Sequence, residues 1–382
     1  MSLDQLCRRC DTVNQEAAQF CTLCGAELID WGAVRDRQDE SMIGSVIDRR
    51  FRILERVGKG GMASVFRALQ ISVGRHVALK MMQPRLIGNP SLKTRFLKEA
   101  IYASRLNHPN SVAIYDLGET REGNVYIAME LIEGATLGDE MEKYRPMAWR
   151  RACAIGGQIC RSLQDAHDHH IVHRDLKPSN IMITMRGHGR ATREVVKVLD
   201  FGIAKIVGET QFEEGGLRSS SKELLGTPDY MSPEQITGAP VDNRSDIYTL
   251  GTMLYRMVTG EMPFTVQTPI MIMSHHLHHR PRSFAELGDQ PKALPPRLEQ
   301  LIMSMLEKDP AARPRSMHEV GMHLDRLFKD RSRGFRGFTP SCGIPVPNTR
   351  GTTQDTSRGE AVLLDPPLED TTAKAEGPTT GD

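Results

Sequence analysis

Apolar residues recur along this chain with two different periods. Leu92, Phe96, Ala100 and Ala103 fall on one face at helical spacing behind Asn89-Pro90, where Asn can cap and Pro can take the first turn. Ala152, Ile155, Ile159, Leu163 and Ala166 predict a second one-faced helix, ending at His169-His170. Cys153 and Cys160 lie within it and read as small core residues. Elsewhere the apolar runs are short. Phe51-Arg52-Ile53-Leu54 leads into a glycine-rich stretch, Gly58 to Phe66, and predicts two short strands joined by a turn. Val125-Tyr126-Ile127-Ala128-Met129 predicts a buried strand. After Arg331, Gly, Pro, Thr and mixed charge dominate, and Phe335, Phe338, Val362, Leu363 and Leu364 are too sparse to build a core. Residues 331–382 therefore read as a disordered tail.

A length of 382 residues allows two or three domains and a sizeable core. The net charge of +1 exerts no global pull toward nucleic acid or an anionic membrane, so partners must be argued locally. No run approaches the length of a membrane span, and Met1-Ser2-Leu3-Asp4-Gln5 lacks a basic-then-apolar export pattern. The expectation is a soluble cytoplasmic protein. Four of the seven cysteines fall in the first 24 residues, the others being Cys153, Cys160 and Cys342. That usage suits a metal site plus reduced thiols better than a disulfide framework.

Cys7-x2-Cys10 and Cys21-x2-Cys24 are two knuckles whose spacing lets four thiolates close a tetrahedron around one Zn²⁺. Residues 1–30 resemble a short zinc ribbon. Gly25 after the second knuckle fits the ribbon pattern, whereas Asp11 takes the equivalent place after the first. With few apolar residues, the segment would draw most of its folding free energy from metal, about 10–16 kcal/mol in comparable peptides. Four protein ligands make such a site structural; unliganded or redox-active thiols are the alternative. A protein partner suits the ribbon better than nucleic acid, since neither a basic stripe nor interleaved aromatics accompanies it. Residues 31–44, with Trp31-Gly32 and the charged run Arg35 to Glu40, read as a solvated linker.

The densest chemistry lies in His173-Arg174-Asp175-Leu176-Lys177-Pro178-Ser179-Asn180, followed by Asp200-Phe201-Gly202. Asp175 can accept the hydrogen bond of an incoming hydroxyl, and Lys177 can neutralise charge on a transferred phosphate. Asn180 and Asp200 are hard oxygen ligands that suit Mg²⁺. Upstream, Gly58, Lys59, Gly60 and Gly61 form a turn whose main-chain N–H groups can point at phosphates. Val77-Ala78-Leu79-Lys80 follows, with Lys80 twenty-two residues after Gly58. Together these stretches resemble the eukaryotic-like (Hanks-type) serine/threonine protein kinases of bacteria, over residues 45–330.

The resemblance implies an α+β, bilobal protein-kinase fold, with a small β-rich lobe at 45–131 and a helical lobe at 135–330. It implies transfer of the ATP γ-phosphoryl group to Ser/Thr hydroxyls of protein substrates, with Mg²⁺ or Mn²⁺ as the metal. Lys80 would hold the α- and β-phosphates and pair with Glu99 of the first helix. Ala63 stands where the family has a third glycine. Main-chain groups of Glu130 and Ile132 would meet the adenine edge, Met129 would guard the back of its pocket, and Val65, Ala78 and Met182 would sandwich the ring. Asp200 to Glu234 resembles an activation loop, and Lys177 with Thr227 matches the serine/threonine-specific branch. Arg174 and Lys205 would form a basic pocket for a loop phosphate. Ser219 and Ser221 are the expected phosphoacceptors, and Glu223 is expected to fill the pocket partly before phosphorylation. A transient homodimer would serve autophosphorylation. Asp246 would brace the catalytic loop, and Arg313 would pair with Glu234.

Arg186, His188, Arg190 and Arg193 form a basic insertion that reads first as a solvated turn, with an acidic partner as the sharper option. Neighbouring His275, His276, His278 and His279 diverge on a helix, which opposes a shared metal. Two rivals stand beside the kinase reading. A scaffold that kept the fold alone is opposed by intact Lys80, Asp175, Asn180 and Asp200. A zinc-dependent nucleic-acid regulator would need a basic patch that the sequence lacks.

Overall fold

The computed structural model describes residues 39–187, 189–201, 228–287 and 294–329, with short pieces at 5–6, 13–14 and 20–24. The chain divides into two units, Met1–Arg333 and Gly334–Asp382, and the second lies outside the described residues, as does the expected tail. At the amino terminus Gln5–Leu6 pairs antiparallel with Val13–Asn14. Cys7 and Cys10 fall between those pieces and outside the described residues.

The first lobe is an antiparallel sheet. Its strands are β1 (Val46–Ile47), β2 (Phe51–Lys59), β3 (Ala63–Gln70), β4 (Arg75–Met82), β5 (Ile114–Glu119) and β6 (Val125–Glu130). They lie in the order β1-β2-β3-β4-β6-β5. The two strands that flank the glycine turn are longer than the short runs expected, because irregular pairing at Ile53/Glu55 and Arg56/Gly58 lets β2 bend with β3. Phe51, Ile53, Phe66, Leu79 and Tyr126 fill one side of this sheet. Helix α1 (Pro90–Ala103) packs on the other, through Phe96 and Ala100. Its cap is the expected one: Asn89 Oδ1 accepts from the Ser91 and Leu92 main-chain N–H groups, and Pro90 occupies the first turn.

The linker expectation for 31–44 needs correction at its end. Asp39 is buried, Met42 packs on the sheet, and the Gly44 N–H donates to Ile53 O at 2.9 Å. Those six residues belong to the lobe, because Met42 finds apolar surface and Asp39 finds donors there.

The second lobe is helical. A strand β7 (Ala135–Thr136) precedes α2 (Leu137–Lys143), whose Thr136 cap and Asp139 form a reciprocal capping box. Helix α3 (Trp149–Asp168) buries Ala152, Ile155, Ile159, Leu163 and Ala166, the face read from the sequence, and His169 caps it. Burial pushes the Cys153 thiol up to about 12 and Cys160 higher still, so both are inert core residues. The strands β8 (Ile181–Arg186) and β9 (Arg193–Val198) form a hairpin beside β7. Then follow α4 (Pro233–Thr237), the buried α5 (Asn243–Thr259), α6 (Pro269–His278), α7 (Pro296–Met305) and α8 (Met317–Lys329). One apolar core joins α3, α5, α7 and α8.

Candidate active site

Strands β2 and β3 carry the glycine stretch between them as a turn, with Lys59 to Met62 exposed. Gly60 N–H donates to Ala63 O at 2.9 Å and closes the turn. Gln83, a residue sequence reasoning missed, holds the turn from the side. Its Nε2 donates to Gly60 O at 2.7 Å and its N–H to Met62 O at 3.0 Å.

Strand β4 carries Lys80 opposite Val65 on one side and Ile127 on the other. Lys80 Nζ lies 3.0 Å from Glu99 Oε1 and 2.8 Å from Asp200 Oδ1. Three positions far apart in sequence therefore meet at one ammonium. Burial opposes the charge on Lys80, but Asp200 and Glu99 outweigh it and hold the group above the ordinary lysine range. Burial conversely pushes the Glu99 carboxyl up against the pull of Lys80.

The catalytic loop is held by its own backbone. The buried Asp246 of α5 accepts from the His173 N–H at 2.8 Å, the Arg174 N–H at 3.1 Å and His167 Nε2 at 2.8 Å. Burial alone would raise Asp246, yet these partners keep it below the usual carboxylate range. His167 is the second residue the sequence did not single out. His173 is fully buried against Phe201, with ring centres 4.8 Å apart, and burial lowers its pKa. A neutral ring then donates from Nε2 to Leu199 O at 3.0 Å, so the loop and the segment bearing Asp200 are locked together. Arg174 and Asp200 adopt left-handed backbone with φ of 61° and 43°, a costly conformation that these bonds hold in place.

Asp175 and its neighbours converge on the same cleft. Lys177 Nζ lies 2.9 Å from Asp175 Oδ2. Asn180 Nδ2 donates to Asp175 O at 2.8 Å and to its Oδ2 at 3.3 Å, which turns the Asn180 carbonyl oxygen toward the role of ligand. The Leu199 N–H donates to Asn180 O at 2.8 Å, so Asn180 and Asp200 stand side by side at the open end of the β8–β9 hairpin. An amide oxygen and a carboxylate, with no thiolate or imidazole, form a donor set that fits a hard divalent cation.

Ala78, Val112 and Met129 are buried together with Val65, Leu131 and Leu199 packed against them. Met182 is half-buried on β8, and Ile132 half-buried after β6. The Glu130 N–H donates to Ala113 O at 2.8 Å, which narrows its main-chain role at an adenine edge to the carbonyl. Its carboxylate lies 2.6 Å from Lys197 Nζ and 2.7 Å from Arg186 of the hairpin. The basic insertion is therefore not wholly a solvated turn, because Arg186 reaches back to the strand that ends the first lobe. Gly134 passes so close to β8 that a Cβ there would come within 2.1 Å of Ile183 O, which excludes any side chain.

Arg313 pairs with Glu234 at 2.8 and 2.9 Å, as the resemblance implies, and Ser245 also donates to Glu234. Gln235 Nε2 donates to Arg174 O at 2.7 Å. His276 is buried, meets Tyr248 Oη at 2.8 Å and Asp229 O at 3.1 Å, and burial lowers its pKa to about 4. His275 stacks on His279 instead. Among the described residues no group of three or more His, Cys, Asp or Glu side chains could hold a metal. Cys21 is buried and Cys24 half-buried. Gly202, Lys205, Ser219, Ser221, Glu223 and Thr227 lie outside the described residues.

Residues 51–324 match the protein kinase domain family. The chain is 37% identical over 300 residues to the serine/threonine-protein kinase pkn3 of Myxococcus xanthus, covering 78% of this chain and 54% of that protein. It is also 37% identical over 290 residues to the serine/threonine-protein kinase PknB of Mycolicibacterium smegmatis, covering 74% and 44%. The chain thus spans about half, or less, of the length of these curated relatives. The crystal structure of the Mycobacterium tuberculosis PknI kinase domain shares the fold at a TM-score of 0.55 and 23% identity, covering 74% of this chain and 98% of that one. With the family matched over residues 51–324, most of both lobes, the chain belongs to the protein kinase family.

Proposed function

We propose that this chain is an ATP-dependent serine/threonine protein kinase of the bacterial eukaryotic-like type, acting in signal transduction. One observation carries the reading most: Lys80, Glu99 and Asp200 meet within 3.0 Å while Asp175, Lys177 and Asn180 form a second cluster beside them. A scaffold that had lost catalysis has no need to keep both.

In the proposed reaction Lys80, held by Glu99, steadies the α- and β-phosphates under the glycine turn. Asp175 accepts the hydrogen bond of a serine or threonine hydroxyl and turns its oxygen in line with the γ-phosphorus. A new P–O bond forms there as the bond to the β-phosphate oxygen breaks, and the hydroxyl proton passes to Asp175. Lys177 offsets charge on the transferring group. Magnesium or manganese, when bound by Asn180 and Asp200, neutralises phosphate charge. Val65, Ala78 and Met182 enclose the adenine, with Met129 behind it.

We place loop regulation in the same proposal: Ser219 and Ser221 as phosphoacceptors, Arg174 and Lys205 as the receiving cations, Glu223 as a partial substitute, and a transient homodimer for the transfer. Cys7, Cys10, Cys21 and Cys24 would hold a structural Zn²⁺, a reading that their spacing supports and that the antiparallel pairing of Gln5–Leu6 with Val13–Asn14 is consistent with. Its partner would be a protein. No helix among the described residues is long and apolar enough to cross a membrane, and the demand for ATP points to the cytoplasm.

The test is intact-mass spectrometry of wild type and Asp175→Asn after incubation with Mg-ATP, with peptide mapping. Phosphate on wild type alone, at Ser219 to Ser221, is the expected result. No phosphate on either, and no transfer to a generic protein substrate, would return the chain to the scaffold reading.

A further inference from the structure

Asp39 is a charged residue in an unusual place. It lies in the helical residues 39–41 before the first strand of the sheet, and it is only 9% exposed. A carboxylate withdrawn from water needs donors. Its Oδ2 accepts from Ser64 Oγ at 2.8 Å and from Arg56 Nη1 at 3.2 Å. Both donors sit on the strands that carry the glycine turn: Arg56 two residues before Gly58, and Ser64 directly after Ala63, paired in register with Lys59.

Strand alternation decides which side this contact lies on. Val65 faces the nucleotide side with Ala78 and Met129, so Ser64 and Phe66 face the other. Met42 packs on that same far side. The segment is fastened there by the Gly44 N–H to Ile53 O at 2.9 Å and the Ile53 N–H to Ser45 O at 3.0 Å. Residues 39–45 thus form a strap across the back of the strands whose tip must hold phosphates.

We propose that Asp39 is a positioning residue for the glycine-rich turn, gripping both of its strands from behind. Nucleotide affinity then depends on residues 39–45, which precede the first strand of the sheet. This rests on the kinase reading above, but its test does not require phosphoryl transfer.

The experiment uses the full chain as wild type, Asp39→Ala, Asp39→Asn, Ser64→Ala and the double variant Asp39→Ala/Ser64→Ala. Binding of adenylyl imidodiphosphate with Mg²⁺ is measured by calorimetry, and KM and kcat for ATP are measured alongside. Each alanine variant is expected to weaken nucleotide binding about threefold to tenfold. The double variant should be no worse than Asp39→Ala, because that change already removes the acceptor that Ser64 serves. KM should rise while kcat at saturating ATP stays within about twofold of wild type. Asp39→Asn, which keeps an oxygen for Ser64, should lie between. If Asp39→Ala fails to fold, Ser64→Ala decides, since it removes only a hydroxyl. Unchanged affinity in the variants, singles that multiply in the double, or a fall in kcat with constant KM would each overturn the proposal. Wild type that bound no nucleotide would remove the kinase reading and this one together.

Discussion

Two charged clusters meet at the cleft, and they are built on opposite plans. The bridge between lobes joins Lys80, Glu99 and Asp200 through long side chains from three separate segments, and Asp200 is 41% exposed. The brace beneath the catalytic loop joins Asp246 to two main-chain N–H groups and His167, in a site closed to water. A bridge of side chains can come apart without orphaning any backbone group, whereas the brace cannot. The first arrangement suits a contact that forms only in the active state, and the second suits permanent scaffolding.

Breaking the brace should therefore cause the largest effect. Asp246→Ala leaves the His173 and Arg174 N–H groups and His167 buried without their acceptor, and should cost about 3–5 kcal/mol in urea unfolding together with all activity. A change under about 1 kcal/mol would mean that water or another acceptor replaces Asp246. Breaking the bridge should act on rate instead. Lys80→Met should lower kcat/KM by about 10²–10³-fold, as loss of one charge-stabilising donor does, while the unfolding midpoint in urea hardly moves. If both variants lost stability equally, the contrast between the two sites would fail.

The brace and the bridge were not equally legible in the sequence. Both helical faces, the Asn89 cap and the Lys80, Asp175, Asn180 and Asp200 stations follow from period and local motif, because each is set by residues a few positions apart. Gln83, His167 and Lys197 were not readable. Each acts on a group 23 or more positions away, Gly60 for Gln83, Asp246 for His167 and Glu130 for Lys197, and a lone Gln, His or Lys has no local pattern to announce it. Asp39 was misplaced in a linker for the same reason, since a charged run reads as solvated until the donors on β2 and β3 are seen. The four-histidine run shows the reverse case: its sequence invites a metal, and its geometry turns His276 inward to Tyr248.

His276 extends the comparison to pH. Its folded pKa of about 4 lies below the unfolded value near 6.5, so the unfolded state binds the extra proton between them. Stability from this residue is complete above about pH 6.5 and is lost as pH falls toward 4, by up to about 3 kcal/mol. The buried His173 adds a loss of the same sign. Lys80 is raised, so its contribution is complete below the unfolded lysine range and lost only in strong alkali. Urea unfolding at pH 7.5 and pH 5 should show wild type much weaker at the lower pH, and His276→Asn should show a smaller difference. An equal slope in that variant would locate the acid sensitivity elsewhere.

The smallest effect belongs to Glu130, at the hinge where β6 ends and the chain passes to the second lobe, and both plans occur there on one carboxylate. Glu130 is shared between Lys197, whose side chain is 7% exposed, and Arg186, whose side chain is 57% exposed. Lys197 also donates to Ser111 O at 3.2 Å, so it is fixed whether or not Arg186 is present. An exposed ion pair adds little where a buried one already neutralises the same charge. Arg186→Ala should then cost less than about 1 kcal/mol and change KM for ATP by less than about twofold. A larger rise in KM would show that the basic hairpin, rather than Lys197, sets the hinge, and would move Glu130 from the permanent side of the comparison to the separable one.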